Sequence, residues 1–263
     1  MFELNTFLAG GLVLLVSACL VWLISIVKND VSIVDSFWSV MFVLVFLVYV
    51  GTTAPQLDPR ELVAGILLLF WAARLSVYIT WRNWGKTEDH RYRAIRHKYE
   101  PHFWLKSLFI IFIFQAVLAW IVSLPLLAIV SVSSKIGILD FIAIALIIFG
   151  IAYESIADWQ LYRFKTQAAN QGKVMNQGVW RYSRHPNYFG EFCIWWGFYF
   201  LALAVGGWWS VISPLLMTFL LLKFSGVALL ESDIGQRRPK YAEYIRSTNA
   251  FFPGPQRMTA SGG

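Results

Sequence analysis

The segment 181–192, RYSRHPNYFGEF, concentrates charged and aromatic side chains around a single proline. Proline suits the first turn of a helix and disfavours helical geometry in the residue before it, so a helix is predicted to begin at Pro186. Asn187 and Glu191 are then one helical turn apart and share a face. This face would carry polar groups into the interior of a helix bundle, where a carboxylate needs a partner.

Basic side chains flank the same predicted helix start, namely Arg181, Arg184 and His185. The first N–H groups of a helix lack a helical acceptor and lie at the positive end of its dipole, so the segment is predicted to bind an anion. A simpler alternative is that arginines at a helix end anchor lipid headgroups. That alternative explains Arg181, but it does not explain an Asn and a Glu on the inward face.

A second polar stripe runs along one helical face through Arg74, Tyr78 and Arg82, with Trp71 beside it. Arg74 is predicted to lie about two turns inside a membrane, where an arginine needs a carboxylate or a phosphate, and a purely structural ion pair is the alternative. The candidate acidic partners are Asp35, Glu154, Asp158, Glu191 and Glu231. The next segment, 81–100, mixes charges and aromatics densely, so we expect it to cover a cytoplasmic pocket.

The elements that carry these residues are predicted to cross a membrane. The chain is 58% hydrophobic and only 14% charged, which is typical of a membrane protein. A membrane-spanning helix needs about 20 apolar residues. Such runs occur at roughly 7–27, 33–50, 62–82, 104–122, 138–158, 188–205 and 209–230. The predicted fold class is therefore all-α, a polytopic membrane protein with seven transmembrane helices.

The positions of the basic residues predict the orientation of these helices. Lysine and arginine near helix ends favour the cytoplasmic side. Of the 22 basic residues, eighteen fall in segments predicted to share one side: Lys28, 82–106, 163–184 and the region after the seventh run. An N-out, C-in topology accounts for this distribution.

Several classes of site and partner are excluded by the sequence. Cys19 and Cys193 lie in apolar runs without partner spacing, so neither a disulfide nor a thiolate metal site is expected. The four histidines show no metal-ligand spacing, and no nucleotide-binding glycine motif occurs. Nucleic acid is not an expected partner, because the basic residues are spread over short membrane loops. One domain, 1–263, is predicted, with a disordered tail at 256–263.

Two segments, GVWRYSRHPNYFGE at 178–191 and ESDIGQRRPKYAEYIRSTNAFFP at 231–253, resemble the C-terminal half of the steroid 5-alpha-reductase family, in particular its bacterial members. The resemblance extends upstream to DVSIVDSFWS and RNWGKTEDHRYRAIR, and its Asn-Tyr-Phe-Gly-Glu core is the specific part. It implies seven transmembrane helices, NADPH bound from the cytoplasmic side, and reduction of the 4,5 double bond of a 3-oxo-4-ene steroid. Residues 1–100 would then serve mainly the substrate and 101–255 mainly the cofactor.

The resemblance also implies roles for individual residues. Asn187 matches the cofactor-binding asparagine of the family, Asp158 an acidic position late in the fifth helix, and Lys165 and Lys173 basic positions in the loop that follows. The phosphates of NADPH require several such cations. The complete predicted cofactor-binding set is Arg74, Asn83, Asp89, Arg91, Tyr92, Asp158, Lys165, Lys173, Tyr182, Arg184, His185, Asn187, Glu191 and Tyr244.

The predicted catalytic residues are Asp35 and Tyr78. The family commonly has a Gln-Glu pair on the second helix and a Tyr on the third, where this chain has Asp35 and, at the nearest position, Trp71. Hydride addition to an enone pushes negative charge onto the carbonyl oxygen, so a hydrogen-bond donor must meet that oxygen. Asp35 would serve if an apolar setting kept it protonated, and Tyr78 would donate or orient. Alternatively, Asp35 is a helix-end acid paired with Lys28 or Arg74.

Two other functions stay open. A membrane methyltransferase of the isoprenylcysteine or phospholipid type also has an Arg-His-Pro element before a helix, and would use S-adenosylmethionine. A nonenzymatic sterol or lipid binder would explain the aromatic-rich bundle, but not the polar face at Asn187 and Glu191. The expected partners are membrane lipids and a lipophilic small-molecule substrate, namely a steroid or a related enone. The protein is expected to be a monomer. The family branch implies a bacterial inner membrane, or the endoplasmic reticulum in a eukaryote, with the cofactor site facing the cytoplasm.

Overall fold

A computed structural model describes residues 2–53, 58–224 and 241–257 of the chain. Every regular element in these ranges is helical, which confirms the predicted all-α class. The helices are α1 (Leu4–Lys28), α2 (Ile33–Thr53), α3 (Pro59–Asn83), α4 (His90–Tyr99), α5 (Phe103–Val122), α6 (Leu124–Ser131), α7 (Ile138–Thr166), α8 (Pro186–Leu203), α9 (Ile212–Phe219) and α10 (Tyr241–Ser247). A π-helical stretch, Leu108–Ile113, interrupts α5, and another, Leu220–Phe224, extends α9.

Five of these helices, α1, α2, α3, α5 and α7, are long and apolar enough to cross a membrane. They coincide with the first five predicted runs, so the chain is a multi-pass helical membrane protein. The sixth run coincides with α8, which is not among the five and which carries Asn187 and Glu191 in its first two turns. The seventh run begins near α9 and ends outside the described residues. Seven spans and the N-out orientation stay predictions.

The chain divides into two compact units. Unit one comprises Met1–Asp140 and Leu201–Ser213, and α2 packs there against both α1 and α3. Its core includes the fully buried side chains of Phe42, Tyr49 and Trp71. The hydroxyl groups of Tyr49 and Ser123 lie 2.8 Å apart, so the buried tyrosine oxygen has a polar partner.

The start of α3 is fixed by a local capping arrangement. Asp58 accepts hydrogen bonds from the backbone N–H groups of Arg60 and Glu61, and the Glu61 side chain accepts the N–H of Asp58. Arg60 also forms a bidentate ion pair with Asp140, with N–O distances of 2.6 and 2.9 Å. Both side chains are almost completely buried, so this pair ties the first turn of α7 to α3.

Unit two comprises Phe141–Phe200 and Pro214–Gly263, and α7 and α8 approach closely within it. A Cβ atom at Gly190 would lie 2.7 Å from both the Gly150 carbonyl oxygen and the Cβ of Glu154, so only glycine fits. The loop after α7 folds back on that helix: the Trp180 indole donates to the Ala157 carbonyl over 3.0 Å. These contacts bring the 178–185 segment to the start of α8.

Candidate functional site

Unit one holds a polar network around Asp35, which lies in the first turn of α2. One carboxylate oxygen, Oδ2, accepts a hydrogen bond from Nη2 of Arg91 at 2.7 Å, and the other, Oδ1, accepts one from the Tyr92 hydroxyl at 2.5 Å. The Gln115 amide, on α5, donates to the Tyr92 oxygen at 3.3 Å. The network therefore joins α2 to α4 through charge-assisted hydrogen bonds to Asp35, and α4 to α5 through a hydrogen bond between neutral groups.

Asp89 orients Arg91 within this network by capping α4. One of its oxygens accepts the backbone N–H of Arg91 at 2.9 Å and the Nε–H of the same residue at 3.1 Å. Burial acts to raise the pKa of Asp89, but these hydrogen bonds outweigh it and lower the pKa. For Arg91, burial acts to lower the pKa, and the charges of Asp35 and Asp89 raise it instead. At neutral pH both groups of the Asp89–Arg91 pair are ionised.

Tyr92 keeps its proton in the same setting. Burial raises the pKa of this phenol, and the negative charge of Asp35 raises it further. The tyrosine is therefore a neutral donor to Asp35. The partner of Asp35 is the Arg91–Tyr92 pair, rather than Lys28 or Arg74 as the sequence alternative expected. That Asp35 delivers a proton to a substrate stays a prediction.

The stripe predicted on α3 lies on one helix as expected. The guanidinium of Arg82 sits 5.6 Å from the centre of the Tyr78 ring, and its Nε donates to the Asn83 side chain at 3.3 Å. Trp71 is fully buried in edge contact with Phe42, their ring centres 5.7 Å apart. Two nitrogens of the Arg74 guanidinium are buried as well. Arg74 and Tyr78 thus share a helix with Asn83 inside unit one.

Unit two holds a second polar cluster, where α8 begins at Pro186 as predicted. The Asn187 amide donates a long hydrogen bond of 3.4 Å to Asp158 on α7. Glu191, one turn further on, is buried and accepts the Trp195 indole N–H at 3.1 Å. Glu154 is buried one turn before Asp158. Glu154, Asp158 and Glu191 are therefore withdrawn from the surface, while Asn187, one turn before Glu191, is half-buried.

Arg184 and Tyr244 hold the C-terminal segment in place. Nη1 of Arg184 donates to the carbonyl oxygens of Ile245 and Thr248, at 3.1 and 2.5 Å, and its backbone N–H donates to Asn249 at 2.9 Å. The Tyr244 hydroxyl donates to the carbonyl oxygens of two residues that precede Arg184, Trp180 and Ser183. These hydrogen bonds are structural ones, and the predicted cofactor role of both residues stays a prediction.

The remaining predicted cofactor residues of unit two differ in exposure. His185 is buried and stacks on Tyr188, with ring centres 5.6 Å apart. Lys165, near the end of α7, and Lys173, in the loop that follows, both have exposed side chains. Tyr182 is exposed as well. Among the described residues, no group of three or more His, Cys, Asp or Glu side chains is placed to hold a metal ion.

Sequence reasoning missed Gln115 as a member of the first cluster. Its signal was present, since it is a single amide in the apolar run 108–122, and polar residues within a span usually face a polar interior. Glu88 was missed in the same unit: it accepts two hydrogen bonds from Arg96 and one from the Val31 N–H. No spacing rule connects Glu88 to Val31, because they meet only in the folded chain.

Comparisons with known proteins place the chain in one protein family. Residues 21–248 match the model of a family described as "Protein of unknown function (DUF1295)", and the chain belongs to this family. An uncharacterized protein of Schizosaccharomyces pombe is 27% identical over 289 aligned residues, which cover 96% of this chain and 81% of the yeast protein. No solved structure matches the chain significantly.

Proposed function

We propose that the protein is an NADPH-dependent membrane reductase that transfers hydride to the 4,5 double bond of a 3-oxo-4-ene steroid or a similar lipid enone. The observation that carries the proposal is the Asn187–Asp158 pair at the start of α8. Asp158 is buried and Asn187 is half-buried, and polar side chains withdrawn into a bundle of apolar spans are costly and are a sign of a binding site. The resemblance of residues 178–191 to steroid 5-alpha-reductases supplies the reaction class.

The residues of unit two suit a phosphorylated dinucleotide in part. Asn187 and Asp158 offer an amide and a carboxylate for the polar groups of a nicotinamide ribose, and the exposed Lys165 and Lys173 would hold phosphates. Arg184 would act indirectly, since its guanidinium holds the C-terminal segment. When bound, NADPH supplies the hydride, while the protein orients it and polarises the acceptor.

The acceptor carbonyl needs a hydrogen-bond donor, because negative charge develops on its oxygen during hydride addition. Both oxygens of Asp35 accept hydrogen bonds, so we assign it the positioning of Arg91 and Tyr92. A donor must carry a proton, and the Tyr78 hydroxyl of α3 does. We expect Tyr78→Phe to lower the single-turnover reduction rate by roughly 100-fold. Tyr99→Phe, an exposed tyrosine, is the control, and a wild-type rate for Tyr78→Phe would reassign the donor.

A second candidate function has one observation in its favour. Unit two buries three carboxylates, those of Glu154, Asp158 and Glu191, at the facing turns of α7 and α8. Buried carboxylates suit a cationic ligand, and S-adenosylmethionine carries a sulfonium and an ammonium group. A membrane methyltransferase is therefore the alternative to the reductase.

One comparison separates the two functions. A ligand that binds only the folded protein raises its melting temperature, by an amount equivalent to about 2.7 kcal/mol at 100 times its Kd. We expect NADPH to raise the melting temperature of the purified protein and S-adenosylmethionine to leave it unchanged. Asn187→Ala should fold normally and lose most of the NADPH response. Stabilisation by S-adenosylmethionine alone would replace the reductase with the methyltransferase.

The lysines test the cofactor's phosphate separately. Each charge-assisted contact should be worth about 1.5 to 3 kcal/mol of binding free energy. We expect Lys165→Ala or Lys173→Ala to weaken NADPH binding and to reduce the preference for NADPH over NADH. Arg163→Ala, an exposed neighbour on α7, is the matched control. Unchanged NADPH affinity in both lysine variants would move the phosphate site elsewhere.

A further inference from the structure

A polar cleft of about 640 Å³ opens in unit one, between the α1–α2 loop and the segment from the end of α3 into α4. Its walls include Lys28 at the end of α1, Lys86 after α3, and Arg93 on α4. All three side chains are exposed. Because they line one cleft, the last turns of α1 and α3 lie at the same end of the helix bundle in this unit.

The buried acid of the cleft, Glu88, is already paired with a cation. Glu88 forms a bidentate ion pair with Arg96, with N–O distances of 2.7 and 2.9 Å, and also accepts the Val31 N–H at 3.0 Å. Burial acts to raise the pKa of Glu88, but the Arg96 and Val31 hydrogen bonds bring it below its ordinary value. The Glu88–Arg96 pair therefore builds the cleft without adding net charge to it.

The other cations of the cleft keep an excess of positive charge. Within the described part of the chain, the side chains of Lys28, Lys86 and Arg93 form no hydrogen bond and no direct ion pair, and the charge of Arg93 acts on Glu88 from a longer distance. The second acid, Asp30, accepts the backbone N–H and the hydroxyl of Ser32, at 2.8 and 2.5 Å. Three cations thus face one carboxylate, which leaves an excess of two positive charges for an anionic ligand.

Exposed apolar side chains lie next to these cations. Val27, immediately before Lys28, is 88% exposed, and Trp84, two residues before Lys86, is 80% exposed. Tryptophan is enriched at the headgroup level of a bilayer, where its ring is apolar and its N–H is polar. The cleft lies at the ends of α1, α2 and α3, which are all candidate membrane spans, so a bilayer crossed by these helices would present its phosphates at this level.

We infer that this cleft binds the phosphate of an anionic phospholipid headgroup. Lys28, Lys86 and Arg93 hold the phosphate, and Val27 and Trp84 contact the glycerol and the upper acyl chains. A soluble phosphate carries the same anion but gains nothing from the two apolar side chains, so the lipid is the better fit. The inference does not depend on the proposed reductase function.

The test uses the purified full-length chain in detergent and measures thermal stabilisation. The probes are dioctanoyl phosphatidylglycerol, dioctanoyl phosphatidylcholine and inorganic phosphate at equal concentrations. We expect phosphatidylglycerol to stabilise the protein more than either other probe. Stabilisation by inorganic phosphate equal to that by phosphatidylglycerol would show a soluble anion site and overturn the lipid assignment.

Substitutions then locate the site. The triple variant Lys28→Gln, Lys86→Gln, Arg93→Gln should bind phosphatidylglycerol about tenfold more weakly, since juxtamembrane cations each add to anionic-lipid binding. Trp84→Ala should weaken the binding of phosphatidylglycerol and leave the binding of inorganic phosphate unchanged. Unchanged lipid affinity in the triple variant would overturn the inference.

A charge-matched control excludes a general electrostatic effect. The variant Lys98→Gln, Arg163→Gln, Arg246→Gln removes three exposed cations outside the cleft and should retain wild-type affinity within about twofold. An equal loss in this control would show that total charge, and not the cleft, binds the lipid. If the cleft triple variant folds poorly, the single changes Lys28→Gln and Lys86→Gln decide the question, and wild-type affinity in both would refute the site.

Discussion

The two polar clusters use arginine differently. In unit one, Arg91 pairs with Asp35 of α2 and with Asp89, the N-cap of its own helix, and the side chains of Arg91 and Asp35 stay partly exposed, at 27% and 19%. In unit two, Arg184 is only 8% exposed and donates to backbone carbonyls of the C-terminal segment. The first arrangement can exchange partners with an incoming ligand, whereas the second fixes a segment of chain. A positively charged side chain in a predicted site is therefore not by itself a ligand contact.

The largest effect is expected from Arg184. Replacing it by methionine removes two hydrogen bonds from a charged donor and leaves the Ile245 and Thr248 carbonyls without that donor, so the free energy of unfolding should fall by about 3 kcal/mol. Thermal unfolding in detergent measures the loss. Arg246→Met, an exposed change in the same segment, should stay within about 0.5 kcal/mol. Wild-type stability in Arg184→Met would show that the segment is held by other contacts.

A smaller loss is expected where the second cluster depends on close backbone packing. Gly190→Ala places a methyl group 2.7 Å from the Gly150 carbonyl oxygen, so α7 and α8 must move apart at a cost of about 2 kcal/mol. The control is Gly51→Ala on α2, where no described atom lies within 4 Å of the new Cβ. Gly51→Ala should be neutral or slightly stabilising. Equal stability of the two variants would mean that α7 and α8 tolerate separation.

The first cluster should show a coupling of about 1 kcal/mol between Asp35 and Arg91. Asp35→Asn and Arg91→Gln each weaken the network. The double variant should be more stable than the sum of the two single losses predicts, because that sum counts the loss of their shared hydrogen bond twice. The coupling free energy is expected to be small because both side chains contact solvent. The coupling is measured by a double-mutant cycle of unfolding free energies. Strict additivity would show that the pair contributes nothing to folding.

The smallest effect is a pH dependence from Glu88, whose pKa is lowered in the folded chain. On acidification the unfolded chain takes up this proton first, near the ordinary value of about 4.3, so folding is disfavoured as the pH falls further. For each protein, the loss of unfolding free energy is measured relative to its own value at pH 7. Between about pH 5 and the folded pKa of Glu88, this loss should be larger for the wild type than for Glu88→Gln. If stability fell equally in the two proteins at low pH, Glu88 would not contribute to the loss of stability in acid.

Local structure in both clusters follows from the sequence. The first five of the seven hydrophobic runs coincide with helices long enough to cross a membrane, and Pro186 begins α8 as predicted. Asn187 and Glu191 lie one turn apart on that helix, with Glu191 buried and Asn187 half-buried. These features depend on composition and helical periodicity within a few residues. The predictions were therefore accurate where one helix decides the outcome.

The partners of the charged residues were decided only by the tertiary structure. Asp35 and Arg91 are separated by 56 residues in the chain, and Arg184 reaches carbonyls 61 and 64 residues away. Periodicity places a side chain on a helix face, but it does not determine which other helix or segment meets that face. The sequence by itself determined which residues are charged, where five apolar helices long enough to cross a membrane lie, and where α8 begins. The fold decided whether each charge holds the protein together or stays available to a ligand, because that depends on distances between segments remote in the chain.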